Sequence, residues 1–399
     1  MRLFYVRRPV KLTLPHKVRQ LEAPNEEQLA SGQIPTNRLY CGNVVWEVLM
    51  AQKQLPKSEV VQISDSALPQ GLLPRRIGDF HEVGAWFQNG GQGKAKVRIA
   101  LLNGFGTMLG DTALGCGALM AADPLLRELP FQVEYHAYAS WNARPGVETL
   151  LKSCPRIAAV QSYSPTLDQL RQYDAYVDFS SLLSLPGYGT QYFIDFYLRH
   201  LGVNPEAVPS ALKKPWFAFD AGLLQHVPTV LPVSNRPTLL LHPHASTPLR
   251  SMPSPFVRRL LDDLVAHTDY RVVLVVNPGF ALSAWGDRVL DLSAWSAKSL
   301  QHMGAIVQAV DAVVSVDTLV IHVAHAAGKP SLDILTASEP VQSVPPEGPL
   351  KGLVIPGAQA LPGWMTHKAQ GDWADMQAAY EQAWMALDGD VVINALKGH

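Results

Sequence analysis

Short apolar runs alternate with helix-length segments twice along this chain, and that alternation is its tightest constraint. From residue 97 the order reads strand VRIALL, helix GDTALGCGALMAADPLLREL, strand FQVEYHA, helix GVETLLKSC, strand AYVDFS. After a Pro-rich break, LPVSNRP at 231–237, it restarts: strand TLLLHPH, helix SPFVRRLLDDLVAHT, strand RVVLVVN, helix SLQHMGAIVQAV, strand AVVSV, helix LVIHVAHAAG, strand PSLDILT. Such alternation predicts parallel sheets covered by helices. Two α/β halves in series fit it better than one large sheet. WADMQAAYEQAWMAL is the last helix candidate.

The Gly-rich stretch WFQNGGQGKAK, residues 86–96, marks a linker or long turn before the first half. Upstream, a strand-like start and NVVWEVLMAQ predict a folded piece of unassigned architecture. No fixed-period repeat or low-complexity tract interrupts the chain.

Composition narrows the class. Of 399 residues, 47% are hydrophobic and 17% charged, which fits a folded protein with ample core. A formal net charge of -1 gives no global pull towards nucleic acid. Cys41, Cys116 and Cys154 are widely spaced, with no CxxC pair, so a reducing compartment is expected. No apolar run is long enough to predict a membrane span, and the start lacks the pattern of a secretory signal. Residues 1–19 carry basic side chains and no acid. They read either as a solvated edge or as a contact for anionic lipid headgroups.

Three stretches carry candidate chemistry. In NGFGTMLGDTALGCGAL, residues 103–119, a Gly-rich turn joins strand to helix. Asp111 there is either a first-turn acid stabilised by the helix dipole or a carboxylate base at the strand ends. The spacing is one residue longer than the dinucleotide fingerprint, with Glu134 as a candidate ribose-binding acid, so an NAD(P)-dependent oxidoreductase is a rival reading. In HPHASTPLRSMPSPF, residues 242–256, Ser246, Thr247 and Arg250 follow a strand and suit phosphate oxygens. In SVDTLVIHVAHAAGKP, residues 315–330, Asp317 and Thr318 either cap a helix or, with its amides, form an anion site. His322 falls on the same helix face as Thr318. His322 and His325 alone are too few for a metal, so no metal site is expected. The DGD at 388–390 reads as a solvated turn.

Taken together, the three stretches resemble the family 9 glycosyltransferases, the lipopolysaccharide heptosyltransferases. SVDTLVIHVAHAAGKP resembles the family's D-[ST]-G-x-x-H-x-A signature, TMLGDTALGCGAL its N-terminal G-D motif, and ASTPLRSMP its hydroxyl-rich donor loop. The resemblance covers roughly residues 97–387. It implies a GT-B architecture, two Rossmann-like domains facing each other across a cleft. The expected division is an N-terminal extension at 1–95, an acceptor domain at 96–233 and a nucleotide-sugar domain at 234–370. A helix and tail at 371–399 would pack back across the interface.

By the same resemblance, Asp111 matches the catalytic base. Ser246, Thr247, Arg250, Asp317, Thr318 and His322 match donor ligands. The implied reaction is inverting, metal-independent transfer of a sugar, heptose included, from a nucleotide-diphosphate donor. The acceptor is a hydroxyl of a glycan, glycolipid or protein. No cofactor is implied beyond that donor, and no nucleic-acid partner. The expected place is the cytoplasm, with peripheral contact at the inner membrane face as the sharper form. Leu319 stands where the family has glycine, Gly117 where it has proline, and Met252 where it has tryptophan. The missing glycine keeps a third reading open, an inactive relative that serves as a binding subunit.

Overall fold

The computed structural model describes residues 3–14, 17–42, 57–63, 71–77, 94–140, 143–162, 165–362, 364–365 and 373–397. Most of the 86–96 linker and all of NVVWEVLMAQ lie outside them. The chain divides into two compact units: Met1–Tyr188 with Ile194–Lys213, and Gly189–Phe193 with Lys214–His399.

The first unit opens with β1 (Leu3–Val6), the hairpin β2 (Val10–Leu14) and β3 (Lys17–Leu21), then β4 (Tyr40–Cys41) and β5 (Val60–Ile63). β1 lies between β4 and β5, antiparallel to both. β6 (Arg75–Ile77) leaves this group and pairs in parallel with β10 (Ala175–Asp178). It thereby completes a five-stranded sheet, β6-β10-β7-β8-β9, with β7 (Lys96–Leu102), β8 (Gln132–Ala139) and β9 (Ile157–Ser162). The N-terminal stretch is thus tied into the first α/β unit. Leu3, Leu39 and Cys41 share a buried cluster with Ala100, Leu102, Tyr138 and Tyr176 of the sheet. Backbone bonds from Leu167 N to Leu39 O (2.8 Å) and Cys41 N to Pro165 O (2.9 Å) fasten the contact.

The second unit holds a six-stranded parallel sheet, ordered β13-β12-β11-β14-β15-β16. Its strands are β11 (Thr238–His242), β12 (Arg271–Leu274), β13 (Val289–Asp291), β14 (Ala312–Val316), β15 (Ser331–Leu335) and β16 (Leu350–Val354). β11, β14 and β15 are buried along their whole length. Helices on both faces explain their unbroken apolar runs. The last helices, Trp373–Ala386 and Gly389–Lys397, pack on the Ser254–His267 helix of the same unit. Trp384 meets Phe256 there with ring centroids 5.0 Å apart. Gly389 of the DGD turn is buried, and a Cβ there would come within 2.0 Å of the Asp263 carboxylate. It is a packing glycine, while Asp388 and Asp390 on either side of it are exposed, as the solvated reading of DGD expects.

Candidate functional site

In the first unit, β7 runs into a tight turn and then the Leu109–Arg127 helix. Asn103 (φ 69°) and Gly106 (φ 114°) hold left-handed backbone angles. The Asn103 amide steadies the turn by donating to Phe179 O at 3.0 Å. Gly106 leaves room for the Asp111 carboxylate, whose Oδ2 would lie 3.2 Å from a Cβ at that position. Phe105 is buried against Tyr197, Phe179 and the start of the helix. A Cβ at Gly115 would lie 2.0 Å from its ring, so the helix can seat only with glycine there.

Asp111 is half-buried in the first helical turn, where the helix dipole favours a carboxylate. Tyr197 donates to Phe105 O at 2.9 Å. Burial above all, and then the charge of Asp111, push this phenol well above its usual range.

Glu134 does not fit the ribose role. It lies in the first half of β8, away from the carboxyl end where dinucleotides bind. It is bound by Lys96 and, at 2.6 Å, by His136 Nε2, and Lys96 above all holds its carboxyl below the ordinary range.

In the second unit, the loop after β11 is clasped by its own side chains. Ser251 Oγ accepts from Ala245 N at 2.9 Å and donates to Thr247 O at 3.0 Å. Thr336 Oγ1 donates to Leu249 O at 2.8 Å from the far end of β15. The short Pro248–Arg250 turn buries Leu249 and presents Arg250. Arg250 Nη1 donates to the Asp317 carboxylate and to Asp317 O, each at 3.0 Å, and Nη2 donates to Ser246 Oγ at 2.9 Å. The structure therefore brings Ser246, Arg250 and Asp317 together. Their loops follow the neighbouring strands β11 and β14.

Thr318 caps the Leu319–Ala326 helix, its hydroxyl accepting from Val320 N at 3.3 Å. The same oxygen lies 3.1 Å from Ser315 Oγ and 3.3 Å from His242 Nδ1. Leu319 takes the first helical position with ordinary negative φ, so its backbone is unstrained where the family has glycine. His322 is inside the fold, 4% exposed, with Nδ1 unpartnered. Burial brings His322 down to about 4, and likewise His325 and His242. All three are neutral imidazoles at pH 7.

Two buried groups escape the sequence reading. His242 ends β11 under the Thr318 cap. Asp333 sits in the middle of β15, fully buried, with Ser343 Oγ donating to Oδ2 at 2.9 Å and Oδ1 unpartnered. Burial first, and then the Asp317 charge, raise its pKa well above the usual carboxylate range. An acid inside the apolar run SLDIL was the available signal.

Thr247 faces different surroundings. It lines a hollow of about 530 Å3 between the loop and the Trp373–Ala386 helix, and its buried hydroxyl has no partner. Ser246 also borders that hollow, whereas Arg250, Asp317, Thr318 and His322 do not line it. Among the described residues, no group of three or more His, Cys, Asp or Glu is placed to hold a metal ion, and no helix is long and apolar enough to cross a membrane.

Residues 207–362 match glycosyltransferase family 9 (heptosyltransferase). The solved structure of the E. coli ADP-heptose lipopolysaccharide heptosyltransferase II aligns with a TM-score of 0.50 at 14% identity, covering 76% of this chain and 98% of that one. A family 9 glycosyltransferase from Veillonella parvula aligns with a TM-score of 0.51 at 13% identity, covering 76% of this chain and 96% of that one. No curated protein matches by sequence. The two parallel sheets are the two Rossmann-like domains of the GT-B fold.

Proposed function

With a family 9 glycosyltransferase domain over residues 207–362, we propose that this chain is an inverting transferase that moves a sugar from a nucleotide-diphosphate donor to an acceptor hydroxyl. The observation that carries the reading is the Arg250 guanidinium, held by Asp317 and Ser246 after two adjacent strand ends of that domain. A guanidinium fixed in this way is pre-organised for the oxygens of a leaving diphosphate. The amides at the start of the Leu319–Ala326 helix add partial positive charge.

Asp111 is the residue assigned to the acceptor proton. Attack of the acceptor oxygen on the anomeric carbon forms the new glycosidic bond and breaks the bond to the diphosphate. The hydroxyl proton passes to the carboxylate as this happens. The leaving group departs as a nucleoside diphosphate, its growing charge met by Arg250 and the helix amides. In this scheme Thr318 and His242 act from below by fixing the helix start, and neutral His322 supplies polarity without net charge. No step is assigned to a metal ion.

Heptose is the donor sugar favoured by the family match, and a glycan or glycolipid the favoured acceptor. Exposed Arg7, Arg8 and Lys11 support a peripheral contact with anionic lipid at the cytoplasmic face, which flotation with phosphatidylglycerol vesicles would test. The central test is a panel of nucleotide sugars run with the purified chain. Heat protection by ADP- or UDP-sugars, followed by transfer or slow donor hydrolysis, is expected. Protection by NAD(P) alone would reject the reading. The position of Glu134 argues against that outcome, and the unstrained Leu319 removes the main reason to expect an inactive relative.

A further inference from the structure

We propose that Asp333 gates donor binding by its charge: neutral, it lets the Arg250–Asp317 pair accept a diphosphate, and ionised, it drives the diphosphate off. The identity of that anion rests on the transferase reading; the placement of Asp333 does not. Asp333 is 0% exposed, in the middle of β15. It stands in register with Ser315 of β14, and Asp317 follows Ser315 by two residues, just past the strand end. Three residues after Asp333, Thr336 Oγ1 holds Leu249 O at 2.8 Å, and Leu249 directly precedes Arg250. One buried acid is thus tied through β14 to Asp317 and through β15 to the turn that carries Arg250.

The hydrogen bonds of Asp333 fall short of what an ionised carboxylate needs. Oδ2 accepts one, from Ser343 Oγ at 2.9 Å, and Oδ1 accepts none. Both terminal nitrogens of Arg250 are engaged elsewhere, Nη1 by Asp317 and Nη2 by Ser246. From β16 the register neighbour is Gly352, where a Cβ would meet Pro340 and Val344 at 2.9 Å, and Lys351 pairs with Leu332 instead. The Leu319–Ala326 helix carries His322 and His325, both neutral. The Pro340–Ser343 turn carries no charge, and Leu332 and Ile334 on the other face of β15 belong to the apolar core. A buried carboxyl without a cation of its own keeps its proton.

While Asp333 is neutral, the charges of Arg250 and Asp317 cancel, and the amides of the Leu319–Ala326 helix leave the strand ends with partial positive charge. Ionisation of Asp333 adds a full negative charge at a depth where water screens little. A diphosphate has charge of the same sign and is repelled. Linkage makes the effect reciprocal, so a bound diphosphate holds the proton on Asp333. Asp333 needs no contact with the ligand for this; it acts through the charge it adds to Arg250 and Asp317.

The test titrates ADP and UDP into the full chain by calorimetry from pH 7.5 to pH 9.5, a window above the second phosphate ionisation at about 6. Affinity of the parent should fall about 10-fold across the window, the scale of one charge added at this depth. Asp333→Asn has nearly the same shape and cannot ionise, so its affinity should be flat with pH. Asp333→Leu gives the same readout should the asparagine variant fail to fold. Nucleotide binding by the parent that is flat with pH overturns the gate and leaves the transferase reading standing. So does a fall that persists undiminished in the variant. Binding of neither nucleotide at any pH rejects the transferase reading and the gate together.

Discussion

Arg250 and Asp317 are joined twice through one guanidinium nitrogen, Nη1 donating at 3.0 Å to both the carboxylate and the main-chain oxygen of Asp317. This double contact ties the loop after β11 to the loop after β14. The Arg250 side chain as a whole is 20% exposed.

Arg250→Ala is expected to weaken nucleotide-diphosphate binding by about 1.5–3 kcal/mol, the scale of a charged hydrogen bond. Arg250→Lys should recover only part of this, because a lysine cannot span Asp317 and Ser246 together. Titration calorimetry with ADP and UDP measures both. Equal affinity in the parent and the alanine variant would reject the assigned role.

Asp111→Asn should leave nucleotide binding nearly intact and lower turnover by roughly 100-fold or more, the reach of a general base. The amide keeps the size of the side chain beside Gly106 and cannot take the proton. Near-normal turnover with an optimised donor and acceptor would remove Asp111 from the mechanism.

Asp333 makes a pH prediction. Its folded pKa is raised, so the folded chain keeps a proton that the unfolded chain releases above about 4. The stability this group contributes is present below that point and is lost as pH rises through the folded value. Asp333→Asn cannot ionise. Its unfolding temperature relative to the parent should therefore climb between pH 4 and pH 7. A flat difference across that range would count against a buried, protonated acid.

The buried histidines act with the opposite sign. His322 titrates at about 4 when folded and near 6.5 when unfolded. Its contribution is present above pH 6.5 and is lost as pH falls towards 4, by on the order of 3 kcal/mol at most. His322→Gln should unfold in urea with a shallower pH dependence than the parent between pH 7 and pH 5. Parallel curves for the two proteins would contradict the buried neutral imidazole.

The part of the fold legible in the sequence has a physical pattern. The strands read directly from apolar runs, such as TLLLH and AVVSV, lie inside their sheets and are buried on both faces. β6, β9, β13 and β16 escaped notice, and these four are the edges of the two parallel sheets. An edge strand is short or half-exposed: RRI shows two exposed residues of three, and LKGLV is mostly half-buried. Such segments lack the continuous apolar run that the central strands carry. At the site, Arg250 and Asp317 were legible because charged residues after buried strands stand out. Asp333 was not, because one acid within SLDIL looks like an interruption until β14 places Ser315 beside it. The hollow at Trp384 needs a helix that follows the loop by more than a hundred positions, a relationship that no local pattern records.

The pairing of β6 with β10 bears on how the first unit is made. Ala175 joins Arg75 on one side and Ile99 on the other, so the stretch that leaves a ribosome early waits for one that emerges much later. Contacts of such sequence separation slow folding. Until β10 arrives, β6 has no parallel partner and β7 has one open flank. A polypeptide started at residue 96 would keep β10 permanently unpaired on one side, a template for intermolecular strand addition. The N-terminal stretch therefore behaves as part of the assembly line of the α/β unit, and expression of the shortened chain would deliver aggregate before it delivered enzyme.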